Sequence, residues 1–114
     1  MKKKVLLFAL LFLFFIPVDA NATTARIVTI DPRLDFDGTT ANCYVFIYEP
    51  SADISATIKL WQSGTCIATW TAKGTGLVEF SDTTSVTKGK SYTLTVDAII
   101  DGVKKPRKST SGTC

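Results

Sequence analysis

Histidine is absent from all 114 residues. Its absence removes the commonest general base and the commonest metal ligand. A cysteine nucleophile would also lack its usual activating partner. Cys43, Cys66 and Cys114 are the only cysteines, too few and too scattered for a structural zinc site, which needs about four ligands. No glycine-rich phosphate loop interrupts the chain. No long segment repeats apolar residues at the helical period. Charge of one sign is scarce too: 13 Lys and Arg stand against 10 Asp and Glu. Lys2, Lys3 and Lys4 hold part of that excess, and from residue 23 onward the formal charge is only +1. That balance makes no case for nucleic-acid binding. Nothing in the pattern calls for a cofactor or a metal.

What is present begins with an export segment. Lys2, Lys3 and Lys4 form a positive start, followed by the unbroken apolar run Val5–Ile16. Pro17 ends the run, and Ala20-Asn21-Ala22 supplies small residues in an A-x-A spacing. This is the layout of a secretory signal peptide cleaved after Ala22. As a helix the run reaches about 18 Å, short of the roughly 30 Å hydrocarbon core. The expectation is a signal peptide over 1–22, in contact with the membrane only during export. A single secreted domain then follows over 23–114, because a chain of that length makes one small core rather than two.

The mature part is rich in threonine and serine and reads as short β-runs between turn signals. The runs are Arg26–Ile30, Arg33–Phe36, Ala41–Tyr48, Ile54–Gln62, Thr65–Ala72, Gly76–Ser81 and Lys90–Ile100, with a polar last strand or tail over Val103–Cys114. About seven strands at this spacing predict an all-β, single antiparallel β-sandwich behind an N-terminal signal-peptide helix. Alternation assigns the faces. Tyr92, Leu94, Val96 and Ala98 share a core side, as do Ile54, Ala56, Ile58 and Leu60, while Cys66, Ala68 and Trp70 share one face of their strand and Val78 and Phe80 one face of theirs.

The segment Lys88-Gly89-Lys90-Ser91-Tyr92-Thr93-Leu94-Thr95-Val96-Asp97-Ala98 resembles the sixth strand of fibronectin type III and other immunoglobulin-like domains. The resemblance implies that Tyr92 is a tyrosine-corner residue, its hydroxyl bonded to backbone upstream. The motif covers eleven residues, while strand number and domain size agree along the whole mature chain. Leu94 stands where an antibody domain has its second core cysteine. Trp61 falls on the outer face rather than in the core. The signal resembles those of Gram-positive bacteria. The mature chain looks like small secreted β-sandwich proteins of Gram-positive gut bacteria, a group that implies no known activity.

Export favours disulfides in small domains. Alternating strands bring Cys43, Cys66 and Cys114 to one end of the sandwich. A Cys43–Cys114 bond would pin the polar last strand and contribute roughly 4 kcal/mol through loop closure. Cys43–Cys66 and three reduced thiols are the other outcomes.

Three further features are candidates for function. With Cys43, Val45 and Ile47 pointing in, Tyr44, Phe46 and Tyr48 point out, and Trp61 joins them as an aromatic surface. Such surfaces stack on sugars or form protein interfaces. The opposite register would bury them, because so apolar a strand does not choose its own face. Leu34 and Phe36 could also cover them. Second, Lys104, Lys105, Arg107 and Lys108 form a basic strip. It either holds an anionic wall polymer or headgroup or, more plainly, protects an edge strand from aggregation. Third, Asp31, Asp35 and Asp37 cluster ahead of Gly38. Carboxylate pairs serve glycoside hydrolysis and oxygen-rich loops bind calcium, but Asp-Pro and Asp-Gly are also ordinary turn pairs.

The expected protein is a secreted, non-catalytic binding or adhesion module acting outside the cell or at its surface. Its partner would be an extracellular protein or glycan, and its state a monomer or weak homo-oligomer. A small secreted effector (toxin, antimicrobial or host-interacting protein) is the alternative, and an enzyme built on carboxylates is the weakest of the three readings.

Overall fold

A computed structural model of the chain describes residues 28–114. The expected signal peptide, its cleavage site and the start of the Arg26–Ile30 run lie outside the described residues. Strands dominate what is described: β1 (Thr29–Asp37), β2 (Thr40–Gln62), β3 (Thr65–Ser85), β4 (Ser91–Ile100), β5 (Val103–Lys104) and β6 (Lys108–Thr113). No helix occurs among the described residues, and every pairing is antiparallel.

Two strands are longer than their sequence signals suggested. β2 contains both the Ala41–Tyr48 and Ile54–Gln62 runs, and β3 contains both Thr65–Ala72 and Gly76–Ser81. Each serves two layers. Thr40–Tyr48 of β2 lies between β1 and the Leu77–Ser85 half of β3. Asp53–Gln62 lies between β4 and the Thr65–Thr75 half of β3, and β6 continues that layer beyond β4. Three strand segments therefore face four strand positions, the last of them shared along β4 by β6 and the two-residue β5. The turn signals at Glu49-Pro50-Ser51 and Lys73-Gly74 mark bends rather than ends.

The bend reverses the facing pattern of β2. Val45 and Ile47 are buried before it, Ile54, Ala56, Ile58 and Leu60 after it. The switch from odd to even positions requires the ladder to slip, and it does so between Tyr48 and Asp53. Ser51, at φ 63°, supplies the local twist. β3 crosses between the layers beside it through Gly76, at φ +78°. A side chain at the neighbouring Gly74 would sit 2.5 Å from the Leu77 carbonyl oxygen.

The core lies between the layers. Ile47, Ile58, Leu60, Leu94, Val45 and Val96 are its largest fully buried aliphatics, each contributing about 1.5–3 kcal/mol by leaving water. Trp70 from one layer meets Phe80 from the other at 5.5 Å between ring centroids. Phe36 meets Tyr92 at 5.8 Å and lies against Gly112, where a side chain would come within 3.0 Å of the Phe36 ring. Ile30, Leu34 and Phe36 thus turn inward and pack on the core, instead of covering the outer face. β1 tolerates Pro32 because it pairs only with β2, so the missing N–H costs no ladder bond on its open side.

Candidate functional site

The outer face of the three-segment layer carries the aromatic stripe. In β2, Cys43, Val45 and Ile47 are buried, so Tyr44, Phe46 and Tyr48 face outward. Phe46 and Tyr48 stack with centroids 6.5 Å apart. The ladder places Thr29, Asp31 and Arg33 of β1 on one flank, opposite Tyr48, Phe46 and Tyr44. Leu77, Glu79 and Ser81 of β3 take the other flank. Asp31 is held by Arg33, with contacts of 3.0 and 3.1 Å to Asp31 Oδ2. Tyr44 and Phe46 are half-buried, while Tyr48 and Leu77 are 46% and 43% exposed. The exposed apolar area is therefore concentrated at the end of the stripe next to the bend. Asp35 and Asp37 continue along the outer side of β1, opposite Asn42 and Thr40.

Trp61 does not belong to this surface. The reversal at the bend puts it on the outer face of the other layer, on the far side of the sandwich from Tyr44, Phe46 and Tyr48. The expected four-residue aromatic surface is thus two surfaces. Trp61 lies over Thr95, whose hydroxyl accepts a 3.0 Å hydrogen bond from the indole N–H. Thr95 consequently faces outward yet is only 5% exposed. Lys59, two residues back on the same face, holds its ammonium 5.7 Å from the indole centroid.

The basic strip divides as well. Lys104, Lys105 and Arg107 line a shallow hollow of about 300 Å³ together with Thr57, Lys59 and Asp97. Lys108 instead opens β6 opposite the inward residue Val96 and does not line the hollow. Arg107 donates to both Asp97 oxygens, at 2.9 and 2.8 Å. That hydrogen bonding holds the Asp97 carboxyl below its ordinary range, helped by the charges of Arg107, Lys59 and Lys104, and it raises Arg107 in turn.

The three cysteines are free thiols, which corrects the expected Cys43–Cys114 bond. Cys43 lies opposite Leu34 and Asp82 and is 1% exposed. The Cys114 thiol donates to the Gly38 carbonyl at 3.2 Å, at the β1–β2 turn. Leu34 and Asp37, the last residue of β1 before Gly38, are three residues apart along the strand, roughly 10 Å at about 3.3 Å per residue. A disulfide needs Cα atoms closer than about 7 Å. Backbone bonds secure the C-terminus instead: Cys114 N–H donates to Lys90 at 2.9 Å, and Gly89 N–H donates to the Cys114 carbonyl at 3.1 Å. Burial, with the Asp82 charge beside it, pushes the Cys43 thiol from 9.0 up to about 11. Cys66 leaves the face it was expected to share with Ala68 and Trp70. The ladder runs from Leu60–Ala68 to Trp61–Cys66, so Ile67 is an extra residue that turns Cys66 outward.

Tyr92 is 1% exposed, and its hydroxyl accepts a 2.8 Å hydrogen bond from the backbone N–H of Thr87. Sequence reasoning did not single out Thr95, Lys59 or Asp97. The shared parity of Thr57, Lys59 and Trp61 was visible, but their neighbours across the sheet depended on the register. No known family model matches the chain, and no curated protein matches its sequence.

Proposed function

We propose that the chain is a secreted, non-catalytic binding module with an immunoglobulin-like sandwich of the fibronectin type III kind. The pairing of three segments against four supports the fold reading. The Tyr92 hydroxyl bonded to the Thr87 N–H supports it further, since that contact has the form of a tyrosine corner. The functional reading rests on one observation above all. Tyr44, Phe46 and Tyr48 form an outward aromatic row on a rigid sheet face, ending in the exposed pair Tyr48 and Leu77. Solvent-facing aromatics on a rigid scaffold lose little entropy on contact and suit an extracellular protein or glycan partner.

The test is a glycan and host-protein array probed with residues 23–114, which contain every strand of the described residues, alongside Phe46→Ala, Tyr48→Ala and Trp61→Ala. A partner lost in the first two variants and kept in the third supports the reading. A partner unaffected by Phe46→Ala and Tyr48→Ala, or turnover of a glycan by the wild-type protein, overturns it.

A further inference from the structure

We infer that the opposite face of the sandwich is a second, separate site, and that it takes an acidic polysaccharide. Trp61, Lys59 and Thr57 are consecutive outward residues of β2. Trp61 supplies an aromatic ring held in place by its bond to Thr95. Lys59 sits at the ring and also lines the hollow, so the ring and the hollow form one continuous track along the strand. Four cations, Lys59, Lys104, Lys105 and Arg107, surround the hollow against a single carboxylate, Asp97.

Arg107 spends its guanidinium on Asp97. The surplus positive charge therefore belongs to Lys59, Lys104 and Lys105. No other carboxylate lines the hollow, and desolvating these cations without an anion would be unfavourable. Charge complementarity calls for carboxylate or sulfate groups. An aromatic ring beside them calls for a ligand that also presents an apolar face, as a pyranose ring does. Rows of hydroxyls beside Trp61, including Thr93 with Ser111 at 2.9 Å and Ser91 with Thr113 at 3.1 Å, give a polar margin.

A membrane headgroup fits this face less well. The exposed apolar residues beside the lysines are Ile99 and Val103. Ile99 pairs with Lys104 and Val103 with the buried Ile100, so the two side chains leave opposite faces of the hairpin. They cannot enter a bilayer together. The site stands apart from the aromatic stripe, so either surface can fail without the other.

Residues 23–114 are titrated with hyaluronan, with neutral dextran and with phosphatidylglycerol vesicles, at low and high salt, and contacts are mapped by amide chemical shifts. Hyaluronan is expected to bind, to weaken with salt, and to shift residues around Thr57, Lys59 and Lys104. The double variant Lys59→Gln with Lys104→Gln should weaken binding about tenfold, the scale of two exposed charge contacts. Trp61→Phe, which keeps a ring, should bind more tightly than Trp61→Ala. The proposal is overturned by equal binding of dextran, by vesicle binding that matches or exceeds hyaluronan, by an unaffected double variant, or by shifts centred on Tyr44 and Phe46. It is equally overturned if hyaluronan does not bind at low salt.

Discussion

Tyr92→Phe removes one oxygen atom from the middle of the protein and should cost more than its size suggests. The ring stays, so its packing against Phe36 at 5.8 Å and its complete burial are preserved. What is lost is the acceptor for the Thr87 N–H, a 2.8 Å bond in a part-buried position. A net intramolecular hydrogen bond is worth about 1 kcal/mol, and leaving a buried donor unpaired costs about 1–3 kcal/mol. Since Thr87 itself is exposed, water can reach part of the site, and the lower part of that range applies. A loss of about 1–1.5 kcal/mol lowers the Tm of a domain this size by about 4–12 °C. Tyr92→Ala, which also empties the ring's space, should cost at least about 3 kcal/mol. Urea unfolding followed by tryptophan fluorescence measures both variants, with the slope of the transition unchanged in Tyr92→Phe. If Tyr92→Phe melts within about 2 °C of wild type, the bond does not hold the Thr87–Tyr92 turn, and the structural argument for a tyrosine corner fails.

Other outcomes follow from single residues. Gly74→Ala should destabilise by about 1–3 kcal/mol, because the new Cβ meets the Leu77 carbonyl oxygen at 2.5 Å and that atom belongs to the backbone; a variant as stable as wild type in denaturant would refute the tight crossing. Thiol labelling of native protein should modify Cys66 first and Cys43 only on unfolding, since one is exposed and the other buried; prompt Cys43 labelling on peptide mapping would contradict this. The Cys43 thiol, raised from 9.0 to about 11 in the fold, favours the folded state below about pH 9. That contribution, at most about 3 kcal/mol, is lost as pH climbs toward 11, and the alkaline decline should be shallower in Cys43→Ala. Asp97, lowered by Arg107, acts in the opposite direction: its small contribution is present above its ordinary 3.8 and disappears as pH falls. Asp97→Asn should flatten that acid limb and speed amide exchange between Lys104 and Lys108.

Much of this architecture is legible in the residues alone. Alternation in Ile54–Gln62 assigns Ile54, Ala56, Ile58 and Leu60 to the core and Trp61 to the outside, whereas in Ala41–Tyr48 it leaves two registers and only the packed sheet turns Tyr44, Phe46 and Tyr48 outward. The run Tyr92, Leu94, Val96 and Ala98 marks a core strand because a strand's faces repeat every second residue. Cys66 is the exception, and the extra Ile67 explains it: one added residue shifts parity, and nothing in Thr65–Ala72 announces a bulge.

Which outward residues meet was decided only by tertiary structure. Parity tells each side chain in or out, but in a sandwich there are two outsides. The bend at Glu49–Ala52 sends Trp61 to the side away from Tyr44, Phe46 and Tyr48. The same register sets Lys59, Asp97 and Lys104 around one hollow although they are distant in sequence. It also places Cys114 at the Gly38 turn rather than beside Cys43. Local alternation is a property of the strand, whereas neighbours across a sheet depend on where the chain bends and how its ladders slip. Those choices belong to the packed layers as a whole.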